Sequence, residues 1–223
     1  MSGSAERERT LLERLTFFSD AVFAIAITLL VIEVHVPEIH PATEAGLQQA
    51  LLDQTPKYIG FLVSFLVIGR FWLGHHRMFG ILRRADNRLI VANMALLLGV
   101  AFMPFPTAVF SEYVGLRTST ALYTGWLIVL GLANWRLIGI GLGDDRLLAE
   151  DHDPAVRRQL LVGRWMPIAI GVAAMASVFV HPALPLLVLV LGPLIGTVLV
   201  RIFTRKASPQ TDAAPGVPLE PAA

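Results

Sequence analysis

The first residue in this sequence that could do chemistry in an unusual setting is Asp20, inside the run FFSDAVFAIAITLLVIEV. Between positions 17 and 32 the only polar side chains are Ser19, Asp20 and Thr28. A carboxylate placed within a bilayer costs at least ~2.5 kcal/mol, so such a residue is normally buried against partners and functional. A packing and orientation role near the end of the helix is the alternative. A second group, Trp72, His75 and His76, sits in FWLGHHRMF at 71–79. Imidazoles relay protons or bind metals, but neighbours on a helix point about 100° apart, which makes these two poor co-ligands of one ion and favours structural pairing. A third group, Asp144, Asp145, Glu150, Asp151, His152 and Asp153, has the composition of a divalent-metal site. Asp153-Pro154, however, has the form of a helix cap followed by proline at the first helical position, and the rest reads as a solvated loop. No metal, cofactor or catalytic residue is therefore assigned. Without a nucleophile or phosphate motif, no enzyme activity is expected.

The elements that must position these residues are membrane helices. The chain has 223 residues, 55% of them hydrophobic, and a mean hydropathy of +0.64, far above an ordinary soluble domain. It reads as an all-α integral membrane protein. The formal charge is only +1 and the basic residues are scattered between apolar spans, which gives no basis for nucleic-acid binding. The absence of cysteine excludes disulfides and thiolate metal sites. MSGSAERERTLLER lacks the basic region, short apolar core and cleavage site of a signal peptide, so the first span is expected to stay in the mature protein.

A helix rising 1.5 Å per residue crosses a bilayer core of about 30 Å in roughly 20 residues. Six spans are expected: 14–34, 57–79, 88–110, 119–140, 164–180 and 185–203. The third holds Asn93 and is disturbed by Pro104 and Pro106, the fifth holds Pro167, and Pro193 interrupts the sixth. Segment 35–55 reads as a loop with a short amphipathic turn at 45–52, segment 141–162 as a polar loop, and His181-Pro182 as a tight turn. Residues 1–206 form one six-helix domain, and the Pro/Ala-rich stretch 207–223 reads as a disordered tail. All but three of the 18 lysines and arginines fall in 7–14, 77–88, 136–164 and 201–206, which an even number of crossings puts on one side. The positive-inside bias makes that side, and both termini, cytoplasmic.

Helical geometry distinguishes the sides of the first span. Phe18, Ile25, Leu29 and Ile32 share a narrow stripe with Ala21 and Thr28 on its shoulder, while Ser19 and Asp20 point away. Copies of this helix gathered round an axis would line a hydrophobic conduit with the stripe; facing lipid or neighbouring helices is the alternative. Asp20 shares its depth with Trp72, His75 and His76. These are matching hydrogen-bond partners in a medium without water, so Ser19, Asp20, Trp72 and one of the two histidines are expected to form a network holding the helix in place.

Arg14, Phe18, Ser19 and Asp20 reproduce the Arg, three residues, Phe-Ser-Asp signature of the transmembrane protein 175 family, which this first span resembles. Animal members of that family are endosomal and lysosomal potassium channels, and bacterial members are shorter relatives. The resemblance continues in FWLGHHRMF and in the stretch 93–107 with its Pro-Phe-Pro, about the first half of the chain. It implies a homotetramer of six-helix subunits in the cell membrane, with the first helix lining a potassium-permeable, leak-type pore. On that likeness the hydrophobic constriction maps onto Ile25, Leu29 and Ile32, and a hydroxyl layer onto Thr28. A hydrogen-bond network maps onto Arg14, Ser19, Asp20, Trp72 and a histidine. No Thr-Val-Gly-Tyr-Gly filter occurs, so selectivity would arise from aliphatic rings that gate by dewetting beside Thr28 hydroxyls. The competing reading is a proton-coupled secondary transporter that uses Asp20 with His75 and His76 as a relay.

Overall fold

The computed structural model of the chain describes residues 2–181 and 184–206. The expected tail at 207–223 and Pro182 of the expected turn lie outside the described residues. The elements are α1 (Ser2–Leu29) running into a 3-10 turn (Leu30–Glu33), α2 (Glu44–Asp53), α3 (Thr55–Phe79), α4 (Asn87–Phe102), α5 (Pro104–Glu112) and α6 (Arg117–Gly143). A second 3-10 turn (Asp145–Leu147) leads into α7 (Pro154–Gly163), followed by α8 (Met166–Ser177) and α9 (Leu184–Lys206). Among the described residues, six stretches, 6–33, 55–79, 87–112, 117–143, 154–177 and 184–202, are long and apolar enough to cross a bilayer.

Several boundaries differ from those read in the sequence, each for a local reason. The first helix begins at Ser2, well before position 14, with the pair Arg9–Glu13 one turn apart supporting its charged part. The segment 141–162 is helical in its second half, because Asp153 accepts from the Ala155 amide at 2.7 Å and Pro154 opens α7. Arg157 caps the preceding span from that helix, its Nη2 donating to the Leu142 carbonyl at 2.8 Å. Pro193 lies inside a continuous α9.

At Pro104 the bonding rearrangement can be followed atom by atom. Proline has no N–H to give Val100, so the Met103 amide shifts back to the Val100 carbonyl at 3.1 Å. That shift frees the Gly99 carbonyl, which accepts from Trp126 Nε1 at 3.0 Å across the α4–α6 contact. The third span therefore bends into α5 without leaving this acceptor unpaired.

Packing follows the rule for membrane interiors, where close backbone approach through small residues replaces the hydrophobic effect. A Cβ on Gly131 of α6 would come within 2.9 Å of Ile168 of α8, and one on Gly171 of α8 within 2.8 Å of Ile128 of α6. Gly99 of α4 stands in the same relation to Leu130 of α6, at 2.7 Å. Helix α1 packs on α3 and α4, α6 sits among α4, α5 and α8, and α9 closes against α7 and α8.

The arginine-rich connections meet at one end of the bundle. Arg84 pairs with Glu8 of α1 at 3.5 Å, Arg83 with Glu150 at 3.1 Å, and Leu82 and Leu148 form a backbone bridge between the α3–α4 and α6–α7 connections.

Candidate functional site

Helix α1 has one inner face and one outer face. Leu12, Ser19, Phe23, Ala26 and Leu30 are buried at spacings of three, four and seven, whereas the stripe residues Phe18, Ile25, Leu29 and Ile32 are 50%, 57%, 40% and 60% exposed. Ala21 and Thr28 are exposed beside them. The end of the helix tightens into the 3-10 turn, in which residues three apart eclipse one another. Ile32 consequently stands in line above Leu29, where continued α-helix would rotate it by about 60°. The Thr28 hydroxyl donates to the Ile25 carbonyl at 2.9 Å, which commits its only proton to the backbone and leaves oxygen lone pairs on the outer side.

The inner face is fastened by two separate sets of hydrogen bonds. In the first, Trp72 Nε1 of α3 donates to Asp20 Oδ1 at 2.9 Å, and the His76 ring stacks on the indole with centroids 5.5 Å apart. In the second, His75 Nε2 meets Asn93 Oδ1 at 2.8 Å, and Asn93 Nδ2 donates to Ser19 Oγ at 2.9 Å. Ser19 then donates to the Leu15 carbonyl at 2.7 Å. Direction propagates along this chain. Since the amide nitrogen is used on Ser19, the oxygen faces His75, whose Nε2 must carry the proton. Ser19 and Asn93 are completely buried and His75 is 1% exposed. The His75 ring lies parallel to Phe79 at 4.1 Å and tilted to Phe23 at 5.5 Å, and its Nδ1 is buried without a partner.

The structure thus places Asp20 with Trp72, and Ser19 with His75 through Asn93. His76 is exposed and belongs to the indole side. Arg14 is exposed and takes no part in either set. Sequence reading passed over Asn93 as the connecting residue, although an amide inside a membrane span needs partners for both of its ends. Among the described residues, no hydrogen bond joins Asp20 to either histidine. The acidic cluster is dispersed: Asp144 caps the second 3-10 turn and chelates Arg146, Asp145 pairs with Arg157 at 2.7 Å, and Asp153 caps α7. Hydrogen bonds from Arg146, first from its side chain and then from its amide, pull the Asp144 carboxyl down to about 2.

These features define a multi-pass α-helical membrane protein whose first helix is anchored on one side and presents aliphatic side chains on the other. Residues 14–104 match the family described as the endosomal/lysosomal potassium channel TMEM175. A potassium channel of Chamaesiphon minutus is 41% identical over 143 residues, 63% of this chain and 70% of that relative. A potassium channel of Streptomyces collinus is 36% identical over 188 residues, 80% of this chain and 90% of that one. The crystal structure of a lysosomal potassium-selective channel TMEM175 homolog from Chamaesiphon minutus superposes with a TM-score of 0.66 at 32% identity, covering 88% of this chain and 98% of that one. The chain belongs to the TMEM175 family.

Proposed function

We propose that the chain is the subunit of a potassium-permeable, passive channel of the cell membrane, a homotetramer with α1 at its axis and both termini cytoplasmic. The observation that carries this reading is the exposed ridge of Phe18, Ile25, Leu29 and Ile32 on a helix whose opposite face is pinned by buried polar bonds. Relatives named as potassium channels support it. Pinning the back of a helix fixes the rotation of its front, so four copies would present aliphatic rings at Ile25, Leu29 and Ile32 in register. Thr28 Oγ1, with its proton turned to the backbone, offers acceptor lone pairs to a partly dehydrated cation. Asp20 and the network of Ser19, Asn93 and His75 act as positioning residues outside the conduit. The arginine-rich end faces the cytoplasm by the charge bias.

The test is purification of the full chain, measurement of its oligomer mass, and flux from liposomes. A tetramer with uncoupled potassium current is expected. Uptake driven by a pH gradient, with no passive current, would instead identify a proton-coupled transporter. A monomer without flux would remove the pore altogether.

A further inference from the structure

An open cavity of about 680 Å³ lies between the first turn of α4 and the last turns of α6, with Asn87, Arg88, Trp135 and Arg136 among its lining. Gly139 forms part of the same wall, and a Cβ there would be 3.0 Å from Arg164 Nη1, so a third guanidinium stands behind that wall. Arg164 lies against a tilted pair of indoles, with its Cζ 5.1 Å from the Trp135 ring centroid and 5.9 Å from that of Trp165, the two centroids being 5.2 Å apart. Trp135 Nε1 and Arg164 Nε are buried without a hydrogen-bond partner.

The pairing of arginines at this end of the bundle is uneven. Arg83, Arg84, Arg146 and Arg157 each have a carboxylate partner. Among the described residues, Arg88, Arg136 and Arg164 have none. Arg88 also occupies the first turn of α4, where the helix dipole disfavours a cation and favours an anion. Two unneutralised guanidinium groups in the lining, with a third behind the wall, make a site for an anionic, multi-oxygen ligand.

Depth and surroundings say which ligand. Arg136 lies seven residues before the end of α6 at Gly143, about 10 Å along the axis, and the indoles of Trp135 and Trp165 suit the headgroup level. Moving toward the bilayer centre, Val91 and Leu98 continue the Arg88 face of α4, and Leu132 and Val129 continue the Arg136 face of α6. All four are exposed. A soluble anion has no use for such an apolar track, whereas an acyl chain does. We propose that this cavity binds the phosphate headgroup of an anionic phospholipid, with Arg88 and Arg136 on the phosphate, Trp135 backed by Arg164 as its wall, and an acyl chain along α4 and α6.

The proposal is tested by reconstituting the full-length protein in nanodiscs of equimolar phosphatidylcholine and phosphatidylglycerol, and weighing the lipids that stay bound by native mass spectrometry. Phosphatidylglycerol is expected to be retained over phosphatidylcholine. In Arg88→Gln/Arg136→Gln, retention should fall by about fivefold per arginine, the factor for one basic residue at an anionic surface. Arg88→Lys/Arg136→Lys should keep most of it, and Arg83→Gln, which removes a paired arginine at the same end, should leave it unchanged. Equal retention in the double glutamine variant and the wild type would overturn the site. A wild type with no preference between the two lipids overturns it regardless of how any variant folds. Displacement of phosphatidylglycerol by inorganic phosphate would show a free-anion site and overturn the lipid assignment.

Discussion

Replacing Asn93 by leucine isolates the polar link between α1, α3 and α4, because the substitution keeps a similar volume while removing both hydrogen-bonding ends. Ser19 loses a donor to its oxygen but keeps its own bond to Leu15, so little is lost there. His75 fares worse: its Nε2 proton loses its acceptor in a site where the ring is 1% exposed and Nδ1 is already unpartnered. An unsatisfied buried donor costs about 1–3 kcal/mol, and hydrogen bonds between membrane helices average near ~0.6 kcal/mol. The expected loss is therefore about 1–2 kcal/mol, between those bounds. Equilibrium unfolding in mixed micelles, titrated with a denaturing detergent, measures it. The discriminating variant is His75→Phe, which preserves the stacking position on Phe79 and removes both ring nitrogens. In Asn93→Leu/His75→Phe no donor is stranded, so the double variant should be more stable than the sum of the single changes by about 1 kcal/mol, well outside the ~0.3–0.5 kcal/mol scatter of independent sites. Strict additivity would refute the claim that Asn93 matters through His75.

Enlarging the proposed constriction with Ile25→Ala should raise single-channel potassium conductance, and identical currents would place the narrowest point elsewhere. Thr28→Val keeps the side-chain shape while deleting the hydroxyl, so the reversal potential in mixed potassium and sodium should move toward zero; no movement would remove Thr28 from selectivity. Gly131→Ala drives a Cβ against the backbone nitrogen of Ile168 at 3.0 Å and should cost about 1–3 kcal/mol in the same micelle titration, whereas Gly143→Ala meets no atom within 4 Å and should be neutral or slightly stabilising. Because the folded Asp144 carboxyl titrates near 2, below its unfolded value of about 3.9, its contribution is complete above that unfolded value and disappears as pH falls through about 2. Arg146→Ala should return the Asp144 titration, followed by carboxyl-labelled NMR, to the ordinary carboxylate range.

The spans were readable because length and apolarity are all that crossing a bilayer demands, and those properties sit in consecutive residues. The outer ridge of α1 was readable from 3.6-residue spacing, except for the alignment of Ile32 over Leu29, which depends on a change of helix type that no side chain announces. Asp20 and Trp72 could be matched through shared depth and complementary chemistry. Choosing between His75 and His76 needed the phase of α3: His75 falls in register with Ile68, Phe71, Met78 and Phe79, all buried, and His76 does not. Asn93 escaped because its two partners come from other helices, 18 and 74 positions away. The helical part of 141–162 was hidden by its charges, which are exposed or occupied with capping and ion pairing rather than breaking the helix.

Pro104 and Trp126 stand 22 positions apart in the sequence, yet the cost of losing the indole depends on the proline. Losing the indole would strand the carbonyl that the proline had released, whereas restoring an amide at 104 would let Met103 bond again to Gly99, whose second lone pair still receives the indole N–H. Loss of the indole is therefore the costly change while the proline stands, and it costs less once an amide is restored at 104. Descendants of this chain that keep the proline should accordingly keep the indole.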